Sequence, residues 1–183
     1  MVEAPYDSRA VANLMLEEGR RHSLGITNLA LQKLLYFAHA LFLVEHGRPL
    51  VSGYFEAWEF GPVHPAAYQA FKAARDRPIT FKASRQNLAT GDLVVVEEPA
   101  QAQVRAHIAR TIAQYGGLPP SRLIQISHAR GAPWHFVVDK SRTGMSYGGR
   151  ITDDLILSRF KHHKVSVGPS PPIGDPGEDT PPA

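Results

Sequence analysis

The longest helical pattern in the chain runs from Thr27 to Gly47. At 3.6 residues per turn, Leu31, Leu34, Leu35, Ala38, Leu41 and Phe42 share one broad apolar face, and Phe37, Ala40 and Val44 widen it. A narrow polar stripe remains: Asn28, Gln32, Tyr36, His39 and His46. A helix apolar nearly all round is either a membrane span or the buried centre of a domain. Here the apolar stretch covers about 15 residues, short of the ~20 that a bilayer crossing requires, and it carries Gln32, Lys33 and His39. The pattern predicts a buried core helix over about 28–46, with Thr27 or Asn28 as its cap and Gly47 just past its end.

Other elements follow from weaker patterns. Asp7 or Ser8 can cap a first helix over about 7–20, with Val11, Leu14 and Met15 inward and Arg20, Arg21 and His22 at its negative end. Arg48–Phe60 is rich in aromatic and branched residues and predicts short strands or a hairpin, stopped by Gly61-Pro62. In such a strand Phe55, Ala57 and Glu59 point one way, and Glu56, Trp58 and Phe60 the other. Pro65 suits the first turn of a helix over about 65–75, with Tyr68 and Phe71 inward. Residues about 78–97 show no clear period, apart from a short strand at Leu93–Val96 after the Thr90-Gly91-Asp92 turn. Val104, Ile108, Ile112 and Tyr115 recur at helical spacing and predict a helix over about 99–115. Ser121 is read as the cap of a short helix through His128 that presents Leu123, Ile124 and Ser127; Pro133 and Trp134 open another short apolar piece. The last helix has a strong start signal: Thr152 as cap, Ile151 and Ile156 as a hydrophobic staple, Asp153 and Asp154 in the first turn. Together these elements predict an α+β, mainly helical domain over residues 1–164. Residues 165–183, dominated by Pro and Gly, read as a disordered tail.

Composition narrows the class. An apolar share of 43% and a charged share of 20% are those of a soluble globular protein. There is no cysteine, which excludes a disulfide framework and a thiolate site. The N-terminal residues carry no export signal, so the expected location is the cytoplasm. The formal charge is +3, and setting aside Asp175, Glu178 and Asp179 of the tail raises the body to +6. A basic body favours an acidic partner or nucleic acid, although no basic run is interleaved with aromatics.

Candidate chemistry is sparse. Of nine histidines, His39 and His46 share a helix face but stand seven apart, where a zinc helix uses three or four; His162 and His163 are adjacent and diverge. No metal site is expected, and His39 reads as a hydrogen-bonded core histidine. Ser127 and His128 are sequence neighbours, which on a helix sets their side chains about 100° apart and argues against a dyad. Gly144–Gly149 lacks the features of a phosphate loop and reads as a connector. The sequence therefore predicts no enzyme activity and no cofactor. Tyr54, Phe55, Trp58 and Phe60 lie within seven residues, and either pack on the central helix or form part of a binding surface.

Two stretches carry a family likeness. LQKLLYFAHA at Leu31–Ala40, followed by EAWEFGPVHPAAY at Glu56–Tyr68, resembles the Panacea-domain family, the SocA-like, phage-associated proteins often encoded as antitoxins beside toxin genes. Downstream pieces fit as well: Tyr115-Gly116, Leu123 through Ser127-His128, Pro133-Trp134, and Ile151 before the last helix. The resemblance covers about Tyr6–Lys164. It implies a compact, mainly helical, non-catalytic domain that neutralises a cognate protein toxin, in one branch as an adaptor delivering the toxin to an ATP-dependent protease. Leu31, Gln32, Lys33, Leu34, Tyr36, Glu56, Trp58, Gly61, Pro62, Val63 and Trp134 carry over as motif positions, with fold maintenance as their expected role. Tyr54, Phe55 and Tyr68 are the candidate interaction surface. The sequence departs from the family pattern at Phe37, His39 and Phe60 and adds the tail.

Physical chemistry adds one demand. Lys33 inside an apolar helix needs an acidic or carbonyl partner, because an unpaired buried charge is costly; Glu56 or Glu59 is the expected one. Two other classes stand beside the antitoxin: a nucleic-acid-binding regulator resting on the basic body, and a hydrolase built on Tyr36, His39 and a carboxylate, which needs those side chains in an open pocket.

Overall fold

The computed structural model describes residues 4–141 and 149–162. Helix α1 (Ser8–Arg21) starts where the Asp7 carboxylate accepts from the Arg9 amide at 2.8 Å. Helix α2 (Asn28–His46) has the predicted bounds. Thr27 Oγ1 accepts from the Ala30 amide at 3.3 Å, and Gly47 closes the far end at φ +66, where a side chain would be strained. Fifteen of its nineteen residues are buried, so its polar stripe from Asn28 through His39 faces protein, not solvent. No described helix is long and apolar enough to cross a membrane.

After α2 come β1 (Phe55–Trp58), β2 (Gly61–Val63) and α3 (Pro65–Phe71), which continues as a 3-10 turn over Lys72–Ala74. Strands β3 (Ser84–Gln86) and β4 (Leu93–Val95) form a separate antiparallel hairpin. Helices α4 (Ala102–Tyr115), α5 (Pro120–Ser127) and α6 (Pro133–Ser141), strand β5 (Arg150–Ile151) and helix α7 (Asp153–Arg159) complete the chain. The main sheet has the order β2-β1-β5, all antiparallel, with Trp58 opposite Gly61, Ala57 opposite Pro62 and Phe55 opposite Ile151. Helices α1, α3, α4, α5 and α7 and strand β2 all pack on α2.

Several expectations change. Gly61-Pro62 does not stop the strand segment; the turn is Glu59-Phe60, and Gly61–Val63 is the returning strand. Pro62 is tolerated because β2 is an edge of the sheet. Ser121 is not a cap: α5 begins with Pro120 in its first turn after Pro119. Helix α4 starts at Ala102, three residues later than expected. The Thr152 cap and the Ile151–Ile156 staple are present, with Thr152 Oγ1 accepting from the Leu155 amide at 3.3 Å and both isoleucines buried. The Gly144–Gly148 part of the connector, His163, Lys164 and the tail lie outside the described residues.

The aperiodic stretch is organised by one side chain. Asn13, fully buried on α1, inserts its carboxamide at the foot of the β3–β4 hairpin. Its Oδ1 accepts from the Ala83 amide at 2.7 Å, and its Nδ2 donates to the Val96 carbonyl at 2.9 Å and the Ala83 carbonyl at 3.2 Å. The amide side chain thereby replaces a rung of the ladder and fixes the hairpin to α1. Removing it strands two buried backbone groups, the Ala83 amide and the Val96 carbonyl; the Ala83 carbonyl keeps the Val96 amide. Asn13→Ala should lower the unfolding free energy by about 2–4 kcal/mol in a denaturant titration.

Candidate functional site

The polar stripe of α2 and the segment 56–64 form one buried knot. Gln32 Oε1 accepts from the His64 amide at 3.0 Å, and its Nε2 donates to Asn28 Oδ1 at 3.0 Å. Asn28 Nδ2 in turn donates to the Tyr68 carbonyl at 3.3 Å. These bonds hold the entry to α3, where His64 itself provides no side-chain cap. Lys33, 0% exposed, donates from Nζ to the Pro62 carbonyl at 3.1 Å. Glu56 accepts from the Trp58 indole at 2.7 Å, and Glu59 sits exposed in the turn. The Pro62 carbonyl is within reach of Lys33 because β2 packs against α2 there.

Gly61 is required at this crossing. Its φ is +104, and a Cβ would lie 2.6 Å from Ser127 Oγ and 2.8 Å from Lys33 Cε. Trp134 on α6 donates from its indole to the Trp58 carbonyl at 2.7 Å, and its ring stacks on His128 with centroids 3.5 Å apart. His39 is 2% exposed and bridges two elements. Its Nδ1 accepts from the Val51 amide at 3.4 Å, which places the proton on Nε2, and Nε2 donates to Asp153 Oδ1 at 3.0 Å. It is a core histidine tying α2 to the start of α7.

Leu31, Leu34, Tyr36, Trp58, Gly61, Pro62 and Val63 are all buried with Gln32 and Lys33; Glu56 and Trp134 are half-buried. Of the expected interaction surface, Phe55 and Tyr68 are buried, Phe55 against Tyr36 and Tyr68 edge-on to Trp58. Both inward positions are explained by packing on α2 and on Trp58. Tyr54 reaches solvent, with the Arg150 guanidinium 4.0 Å over its ring. The open pocket that a hydrolase on Tyr36 and His39 requires is absent at these two sealed side chains. Among the described residues no three His, Asp or Glu side chains converge as metal ligands.

The exposed apolar material lies elsewhere. Leu88, Leu93, Val94 and Val95 on the β3–β4 hairpin all face solvent. The run Leu93–Val96 was legible as a strand, but its alternation is too short to reveal that one side lacks cover.

Comparison with known proteins matches the sequence of this stretch to a family. The profile of the antitoxin SocA-like, Panacea domain family matches residues 31–135, the stretch that contains the knot. The chain is 44% identical over 177 residues to Antitoxin SocA of Caulobacter vibrioides (strain NA1000 / CB15N), covering 97% of this chain and 94% of that protein. The chain belongs to the SocA-like antitoxin family, with a Panacea domain. No solved structure gives a significant match.

Burial also sets the protonation of the knot. His128 is pushed down to about 3 by desolvation first and the nearby Lys33 charge second, and its Nε2 has no hydrogen-bond partner among the described residues. Burial likewise lowers His64 and His107. A histidine depressed in the fold gives stability that is complete above its unfolded value of 6.5 and is lost as pH falls toward about 3. His128→Phe keeps a ring on Trp134 and removes the titration. Between about pH 6 and pH 4.5 its stability should fall less steeply than that of the parent, by about 1.4 kcal/mol per pH unit; equal slopes in denaturant titrations would contradict the assignment.

Proposed function

We propose that this chain is a non-catalytic antitoxin of the cytoplasm that binds and neutralises a cognate protein toxin. The observation that carries the reading is its likeness, over nearly its full length, to a protein named as an antitoxin. The knot supports it: the motif residues are spent on holding α2, the sheet and α3 together, which leaves recognition to the surface. In this reading the antitoxin domain spans residues 1–164 and the acidic tail 165–183 is accessory. Neutralisation proceeds by masking the toxin or by delivering it to an ATP-dependent protease.

The nucleic-acid alternative draws on the basic body, several of whose cations are held in local ion pairs. Arg9 pairs with Asp7, Arg20 with Glu17, Arg21 with Glu18, Lys82 and Arg105 with Glu98, and Arg110 with Glu45. A nucleic-acid role would show as steeply salt-dependent DNA binding, and a flat gel shift at low salt removes it.

Co-expression with the product of the adjacent gene tests the reading. That product should arrest bacterial growth alone and be harmless with this chain present. A neighbour that is harmless alone, or toxic in both cases, refutes it. Pulse-chase lifetimes distinguish the routes: a neighbour degraded faster only when both this chain and the protease are present is being delivered, and an unchanged lifetime indicates masking.

A further inference from the structure

Half of the large apolar side chains that reach solvent among the described residues lie on the β3–β4 hairpin. Leu88 at its tip is 100% exposed, Leu93 79%, Val94 42% and Val95 48%. Of the others, Val44 and Leu157 lie on different helices, and Tyr54 and Phe81 lie outside the helices and strands. Single exposed apolar residues are normal on a protein surface, whereas a cluster marks a contact.

The backbone of this hairpin is open as well. Its register pairs Ser84 with Val95, Arg85 with Val94 and Gln86 with Leu93. The Asn87 amide donates to the Asp92 carbonyl and the Val96 amide to the Ala83 carbonyl, so the intervening bonded pair is Arg85 with Val94. The amides and carbonyls of Leu93 and Val95 therefore point away from β3, to the free edge of β4. Edge strands are ordinarily blunted by charge, proline or a bulge. Leu93–Val95 has none of these, and the side-chain face shared by Ser84, Gln86, Leu93 and Val95 is uncharged. Asn13 holds the base of the hairpin on α1, so this edge is presented by a fixed mount.

We infer that β4 is the docking edge for the toxin: an extended segment of that protein, with apolar side chains alternating along it, pairs with Leu93–Val95 and covers their side chains. The inference rests on the antitoxin reading for the identity of the partner. A second copy of this chain is a poorer occupant. Two such three-residue edges face to face bury on the order of a few hundred Å², below the roughly 1,000 Å² of a stable interface. A larger partner extends the contact into the cleft at the foot of the hairpin, a cavity of about 390 Å³ lined by Tyr6, Arg85, Val96, Glu97, Pro99 and Gln101. Backbone pairing supplies affinity in this mode and side-chain pockets supply specificity.

Amide hydrogen exchange on the full chain, alone and with the purified product of the adjacent gene, tests the inference. In the free chain the Leu93 and Val95 amides should exchange as open groups while Val94 is protected. With the partner bound, Leu93 and Val95 should slow at least about 10-fold, and Leu93→Lys/Val95→Lys should weaken binding by at least about 10-fold, with Leu157→Lys as an unaffected control. A partner that is neutralised while these amides exchange unchanged overturns the docking edge and keeps the antitoxin reading. A partner that protects them yet stays toxic keeps the edge and overturns the reading. Protection that grows with the concentration of this chain alone assigns the edge to a second copy and overturns the inference, and absence of binding overturns both.

Discussion

The fold depends on one constraint: polar side chains on a helix buried on nearly every side must find partners inside the protein. Helix α2 carries Asn28, Gln32, Lys33 and His39 into the core, all at most 4% exposed. An unsatisfied amide there costs about 1–3 kcal/mol, and an unpaired ammonium more. Their partners are mostly backbone groups: the His64 amide, the Pro62 and Tyr68 carbonyls and the Val51 amide. Backbone partners are available only if the segment after α2 returns along it, so the polar stripe dictates where β2 and the start of α3 must lie. Apolar burial makes α2 central, and the polar residues make its neighbours specific.

That arrangement decides where recognition can occur. With Gln32, Lys33 and Gly61 sealed at the crossing and Trp134 packed over it from α6, the crossing itself presents no side chain to solvent, and of the motif only Glu56 and Trp134 are half-buried. Asn13 repeats the same device at the other side of the molecule: a buried amide bonds to strand backbone and fixes the β3–β4 hairpin. The two carboxamides use equivalent physics toward different ends. Gln32 ties elements into the core, and Asn13 mounts an element that stays outside it.

Much of this was legible in the sequence. The bounds of α2 followed from its apolar run, the Thr27 cap and Gly47, and the start of α7 from Thr152 with its staple, because capping is local chemistry. Strand β3 was not legible: Ser84, Arg85 and Gln86 have no β-pattern of their own and are held by pairing with β4 and by Asn13, which lies seventy residues from Ala83. The Pro62 carbonyl as a partner of Lys33 was not legible, for a related reason. The need for a partner is a property of the helix, but which backbone carbonyl comes within reach depends on the strand register, which a turn at Glu59-Phe60 sets. Phe55 and Tyr68 were offered as surface because aromatic clustering does not distinguish a core from an interface.

The central claim is that the α2 motif is a scaffold and not a contact surface. Gln32→Leu, measured for both stability and affinity, tests it most directly. The variant leaves the buried His64 amide without its acceptor, so the unfolding free energy should drop by about 2–4 kcal/mol. Affinity of the folded protein for the product of the adjacent gene should stay within about 2-fold of the parent, since Gln32 is 0% exposed. Unchanged stability together with a 10-fold or greater loss of affinity would contradict the account.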